Sequence, residues 1–235
     1  GGTLVDAVDA IVLAGGSAFG LAAADGVAAG LKKAGRGFSL IDLPSVPKSP
    51  IVPAAILYDL ANGGDKDWGD VSPYAALGRK AYDTASGTFA LGRAGAGFGA
   101  AAGAHLGGTG SASIVTKDKI TIGALAAVNC YGSVYMPGTD AFWAWPYEID
   151  GEFGGVRPPA DFAMDPEDWG AAKMNPGLGQ NTTIACIATD AILTPDQAKR
   201  VAQMALSGFS RAIRPVFAPF DGDAVFVLAT GKRAL

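Results

Sequence analysis

The chain has 235 residues, 49% hydrophobic and 17% charged, with 18 Lys+Arg against 22 Asp+Glu and a net charge of −4. That length and apolar fraction suffice for the core of one ordinary domain and exclude general disorder. No basic run is present and no apolar stretch approaches the about 18 residues of a membrane span, so neither nucleic acid nor membrane is an expected partner.

Gly1–Leu4 reads as neither a signal nor a transit peptide. Asp9–Ala14 is a short apolar run that ends in Gly15-Gly16-Ser17, the pattern of a buried strand entering a tight turn. Ser17–Ala34 follows as a helix of small and apolar residues, with Lys32 and Lys33 in its last turn and Gly35 just after. Four prolines between Pro44 and Pro53 mark a loop, and Ile51–Leu60 reads as a short extended segment. Ser72-Pro73 opens a helix to about Ala85. Gly92–Gly110 is rich in glycine and alanine. It follows a turn (Ser86-Gly87-Thr88) and its best later acid is Asp118, a poor match to a dinucleotide fingerprint, so tight backbone packing or a substrate-lining loop is the better reading.

Ser111–Val115 and Lys119–Asn129 read as paired strands. Trp143–Asn181 carries many Pro, Gly and acidic residues without periodicity and reads as a long loop or processing region. Thr182–Thr189 is a strand. Thr194-Pro195-Asp196-Gln197 is a capping box that opens a helix to about Ile213, and Asp223–Thr230 is the last strand. Strands, helices and long crossovers together indicate an α+β or mixed layered domain.

The residues that limit chemistry are few. His105 is the only histidine, which excludes a His-rich metal site, and no metal or cofactor is expected. Cys130 and Cys186 are isolated and suit a reducing cytoplasm, with a single disulfide still open. At Asn181-Thr182 an irregular loop becomes a buried strand. Thr182 there either simply begins a strand or attacks the carbonyl of Asn181. In the second case it gains a free α-amine with an ordinary pKa of about 7.7–8, suited to act as its own general base. Asp221-Gly222-Asp223 is either a solvated turn or two carboxylates on one face of an extended segment, ready to hold an ammonium. Asn129, at a strand end, is a turn former or an oxyanion donor. Tyr58 and His105 have plain readings, a half-buried strand tyrosine and a loop histidine.

Six stretches carry a resemblance that spans most of the chain: DAIVLAGGSAFGLAAADGV from Asp9, VPAAILYDL from Val52, GRAGAGFGAAAG from Gly92, ALAAVN from Ala124, NTTIACIATDAILT from Asn181 and RAIRPVFAPFDGDAVFVLATG from Arg211. With these blocks the sequence resembles the DmpA-type peptidases, which include L-aminopeptidase/D-esterases, β-peptidyl aminopeptidases and the nylon-oligomer (6-aminohexanoate-oligomer) hydrolases. The Asn-Thr pair sides with the nylon-oligomer branch. The resemblance implies one N-terminal-nucleophile hydrolase domain with a layered α/β/β/α sandwich, as in ornithine acetyltransferase, made as a precursor that cuts itself into segments 1–181 and 182–235. It implies Thr182 as nucleophile, Asn129 at the oxyanion, Asp221 and Asp223 beside the amine, and Tyr58 shaping the site.

Where the family has a lysine after the glycine loop, this chain has Ala104, which sets self-cleavage and turnover at issue. The family also has more chain before Gly1 and after Leu235, so further elements of the fold are expected outside this sequence. The expected activity is hydrolysis of small amides, peptides or oligoamides by a homotetramer in the cytoplasm. The alternatives are an aminopeptidase/D-esterase or an acyltransferase of the same fold, and a catalytically silent binding scaffold.

Overall fold

A computed structural model of the chain describes residues 4–41, 43–173 and 181–234. Eight strands and three helices follow in the order β1 (Val12–Ala14), α1 (Ala22–Lys33), β2 (Ala54–Ile56), α2 (Tyr74–Asp83), β3 (Ala101–Ala102), β4 (His105–Leu106), β5 (Gly108–Val115), β6 (Thr121–Asn129), β7 (Thr182–Ala191), α3 (Pro195–Ala212) and β8 (Ala224–Arg233). The fold class is α+β, as expected.

The main sheet has the order β5-β6-β7-β8. β5 pairs with β6 and β6 with β7 in antiparallel fashion, whereas β7 and β8 run parallel. A parallel pair needs a crossover, and α3 supplies it. Thr194 caps α3 by accepting from Gln197 N, and the Gln197 side chain accepts from Thr194 N, so the expected capping box is formed. A second, parallel sheet consists of β1 and β2.

The two sheets face each other. Leu13, Ala55 and Leu57 pack against Ala127 of β6 and Ile184 of β7. Leu57 and Ile184 are fully buried, which favours the fold by about 1.5–3 kcal/mol per side chain. Alternate residues of a strand point to opposite faces. Val128, next to Ala127, joins a second cluster with Ala102, Cys130, Ala212 and Ile213, where α3 ends. The layers are therefore helix, sheet, sheet and helix. On the outer side α1 and α2 touch backbone to backbone. A Cβ on Gly26 would lie 1.9 Å from the Ala75 carbonyl oxygen, so neither helix tolerates a side chain at that crossing.

Local departures from the sequence reading have plain causes. Ser17–Leu21 is a 3-10 turn before α1 begins. The glycine stretch hides the β3–β4 hairpin and the start of β5, because glycine-rich segments show no alternation. Its tight packing is as expected, with Gly97 set against the backbone of Gly108 and Thr109. β8 runs on to Arg233 past Gly231, where the β7–β8 register shifts. The segment from Trp143 stays irregular apart from one 3-10 turn at Trp145–Tyr147. The part of that expected loop from 174 to 180 lies outside the described residues. Among the described residues no helix is long and apolar enough to cross a membrane.

Candidate active site

The site is built where β6, β7 and the approach to β8 meet. Asn129 ends β6 and Thr182 begins β7, and the two are cross-strand partners. On the other side of β7, Asn181 pairs with Asp221 in a parallel bridge. Strand pairing alone thus brings residues from three distant stretches of sequence into one row.

Thr182 is buried, and its hydroxyl donates to the Asn181 carbonyl oxygen at 2.5 Å. The same oxygen accepts from Gly222 N at 3.0 Å. Gly222 also leaves room for the hydroxyl, because a Cβ there would lie 3.1 Å from Thr182 Oγ1.

Asp221 and Asp223 flank that glycine. Asp221 accepts from Ala218 N at 3.0 Å and Asp223 from Thr183 N at 2.6 Å. Asp221 Oδ1 and Asp223 Oδ2 are buried and have no hydrogen-bond partner among the described residues. Burial pushes both carboxyls above the usual range. For Asp221 the Ala218 N–H and Lys173 oppose the rise; for Asp223 the Thr183 N–H opposes it and the Asp221 charge adds to it. Two desolvated carboxylates with open lone pairs form a receptor for a cation.

Asn129 has no exposed surface. Its Oδ1 accepts from Ala101 N at 2.9 Å and from Asn62 Nδ2 at 3.2 Å, and its Nδ2 donates to the Tyr58 carbonyl at 2.9 Å. The Tyr58 ring, 38% exposed, lines a cavity of about 500 Å³ together with Thr182, Asp221, Leu21, Ile56 and Phe220. Thr182, Asp221 and Tyr58 thus line one cavity, while Asn129 pairs with Thr182 across the strands and Asp223 accepts from the next residue, Thr183.

Ala104 sits on an exposed turn, where its N–H donates to Ala171 O at 2.7 Å. His105 is exposed and stacks edge-on against Tyr135 at 4.9 Å. The residues that sequence reasoning missed are Asn62 and Lys173. The Lys173 ammonium donates to Asn181 Oδ1 at 2.9 Å and to Asn129 O at 3.3 Å. Burial pulls it below the ordinary lysine range, against the opposing charge of Asp221. Nothing in an irregular, Pro- and Gly-rich stretch distinguishes this lysine from a solvated one. Among the described residues no group of His, Cys, Asp and Glu could hold a metal ion.

The profile of the family described as "Peptidase family S58" matches residues 2–235. An uncharacterised aminopeptidase of Mycobacterium tuberculosis is 43% identical over 233 residues, covering 97% of this chain and 63% of the relative. A 6-aminohexanoate-oligomer endohydrolase of Kocuria sp. is 31% identical over 231 residues, 95% of this chain and 61% of the relative. The chain thus spans less than two thirds of the length of these relatives. Among solved structures, a β-aminopeptidase of Burkholderia sp. superposes with a TM-score of 0.56 at 26% identity, over 88% of this chain and 49% of that one. The L-aminopeptidase D-Ala-esterase/amidase of Ochrobactrum anthropi, described as a variant of the Ntn hydrolase fold, gives 0.57 at 24% identity, over 91% and 51%. That likeness shows the layered fold.

Proposed function

The chain belongs to peptidase family S58, and from that premise we propose that it carries the catalytic centre of a self-processing amide hydrolase whose nucleophile is Thr182. One observation carries the reading: the Thr182 hydroxyl rests on the Asn181 carbonyl, and Gly222 N–H grips the oxygen of that same carbonyl. In self-cleavage, Thr182 Oγ1 bonds to the Asn181 carbonyl carbon. The C–N bond breaks, and the proton of the hydroxyl passes to the departing nitrogen. Gly222 N–H stabilises the charge that develops on the oxygen. Water then opens the ester, which leaves a carboxylate on Asn181 and restores the hydroxyl of Thr182 beside a new α-amine.

That amine becomes the general base of the mature site. Asp221 and Asp223 hold it through the oxygens left open, and its charge relieves their burial. Substrate occupies the cavity beside Tyr58. Thr182 Oγ1 attacks the substrate amide while the amine takes the hydroxyl proton and returns it to the leaving nitrogen. Asn129 shapes the oxyanion side of this step, and an acyl-enzyme forms that water releases. The apolar wall of Leu21, Ile56 and Phe220, with aminopeptidases and 6-aminohexanoate-oligomer endohydrolases among the relatives, favours neutral acyl chains of small amides, peptides or oligoamides. The reading extends to a homotetramer in the cytoplasm. The free thiols of Cys130 and Cys186 agree with a reducing compartment.

Intact-mass analysis tests the first step. The expected products are segments 1–181 and 182–235, with threonine at the new N-terminus. A cut elsewhere, or none together with no hydrolysis of aminoacyl amides or 6-aminohexanoate oligomers, overturns the reading.

A further inference from the structure

We propose that Lys173 is a positioning residue for cleavage at Asn181–Thr182: its ammonium fixes the Asn181 side chain and supplies counter-charge to Asp221 while the Thr182 nitrogen is still an amide. The inference rests on the self-processing reading above and adds a residue that the resemblance does not assign.

The geometry is specific. Asn181 has no exposed surface, and its Nδ2 has no partner among the described residues. The side chain is therefore held through Oδ1, by the ammonium at 2.9 Å. Lys173 is itself anchored by its backbone, which donates to Tyr131 O at 3.0 Å, and its Nζ reaches Asn129 O at 3.3 Å. One ammonium thus ties the end of β6 to the residue that carries the scissile carbonyl. Slack in the Asn181 side chain would let the carbonyl turn away from Gly222 N–H, and small misplacements of reacting atoms are costly in rate.

Charge gives the second argument. Two buried carboxylates without a cation are unfavourable. Before cleavage Thr182 has no amine, so it contributes no charge. Lys173 is close enough to hold the Asp221 carboxyl down, and Asp221 in turn supports the lysine charge. The other titratable groups facing this pair are Asp223, Tyr131 and Cys130. Burial raises the Tyr131 and Cys130 groups, keeping both neutral near pH 7. Among the described residues Lys173 is thus the cation that acts on Asp221 in the precursor, and the α-ammonium of Thr182 joins it after the cut.

The test compares Lys173→Met and Lys173→Arg in the full chain. Lys173→Met is expected to slow the appearance of segment 182–235 about 10- to 100-fold, the loss expected for one hydrogen bond to a charged group. It is also expected to move the acid limb of the cleavage profile to higher pH, because Asp221 then stays protonated longer. Lys173→Arg restores the pH profile and part of the rate. Cleavage by Lys173→Met at the wild-type rate and pH profile overturns the proposal. Should Lys173→Met not fold, Asn181→Ala removes the acceptor and leaves the lysine, and unchanged cleavage in that variant overturns it equally. A further arm does not depend on cleavage. In a Thr182→Ala background, carbon-13 NMR titration of Asp221 is expected to shift upward when Lys173 becomes Met and to return with Arg. No shift overturns the counter-charge role. If the wild-type chain is not cut at Thr182, the self-processing reading fails, while the Asp221 titration still decides the role of Lys173.

Discussion

The backbone N–H of Gly222 donates to the carbonyl oxygen of Asn181 at 3.0 Å, and the Thr182 hydroxyl donates to that same oxygen. In the proposed self-cleavage this places a backbone donor, rather than the Asn129 amide, on the oxygen of the scissile bond. Gly222→Ala would put a Cβ 3.1 Å from Thr182 Oγ1, so the hydroxyl must give way by a few tenths of an ångström. The expected outcome is a folded chain in which cleavage slows by about 10- to 100-fold. Time-resolved gel analysis checks it, and an unchanged rate counts against the Gly222 role.

Thr182→Ala removes the nucleophile. The chain is expected to remain intact at 181–182 by mass, with amide hydrolysis lowered at least about 10³-fold. Thr182→Ser keeps a hydroxyl at the same place and is expected to retain the cut. Cleavage in Thr182→Ala would place the nucleophile elsewhere.

Asn129 concerns stability as well as chemistry. Its side chain, which has no exposed surface, serves Ala101 N, Asn62 and the Tyr58 carbonyl. Asn129→Ala takes these partners from the Ala101 N–H and the Tyr58 carbonyl, at about 1–3 kcal/mol for a group that water does not reach in its place. Thermal unfolding is expected to show a lowered Tm. An Asn129→Ala variant as stable as the parent would show that the network relaxes around the loss.

The acids give a pH dependence with a definite sign. Burial raises the Asp221 and Asp223 carboxyls above their unfolded value. Between the unfolded pKa and the raised native one, the native chain binds more protons than the unfolded chain, so this contribution to stability falls as pH rises. It is fully present below the unfolded pKa of about 3.9 and lost above the raised native value. In uncleaved Thr182→Ala, Asp223→Asn is expected to flatten that part of the curve relative to its parent. Urea unfolding across mildly acidic pH checks it, and a steeper curve in Asp223→Asn contradicts it.

The thiols should be inert. Burial pushes Cys130 up to about 12 and Cys186 up to about 11. Thiolate is the reactive form, so neither cysteine is expected to react with a thiol reagent near pH 8 until the chain is denatured. Rapid labelling of the native chain would show that the buried cluster around Cys130 opens.

Much of the architecture was legible locally. The Thr194–Gln197 capping box marked the start of α3 because both partners sit within one turn. The alternating and apolar runs ending at Asn129 and beginning at Thr182 marked β6 and β7 because strand burial leaves that pattern. The β3–β4 hairpin stayed hidden because Ala101, Ala102 and the surrounding glycines have no contrast between faces. The Asp221-Gly222-Asp223 spacing told that two carboxylates share a side, but left open whether that side met water or Thr182.

What the sequence alone determined was the longer strands and helices and the family, since short-range hydrophobic period, caps and ordered motif blocks are properties of neighbouring residues. Only the tertiary structure decided which groups meet. Strand register sets Asn129 opposite Thr182 and Asp221 beside Asn181, and chain folding delivers the Lys173 ammonium to the Asn181 amide. Such contacts depend on pairing between segments far apart in sequence and on the low-dielectric environment they create together. No residue carries a local mark of either.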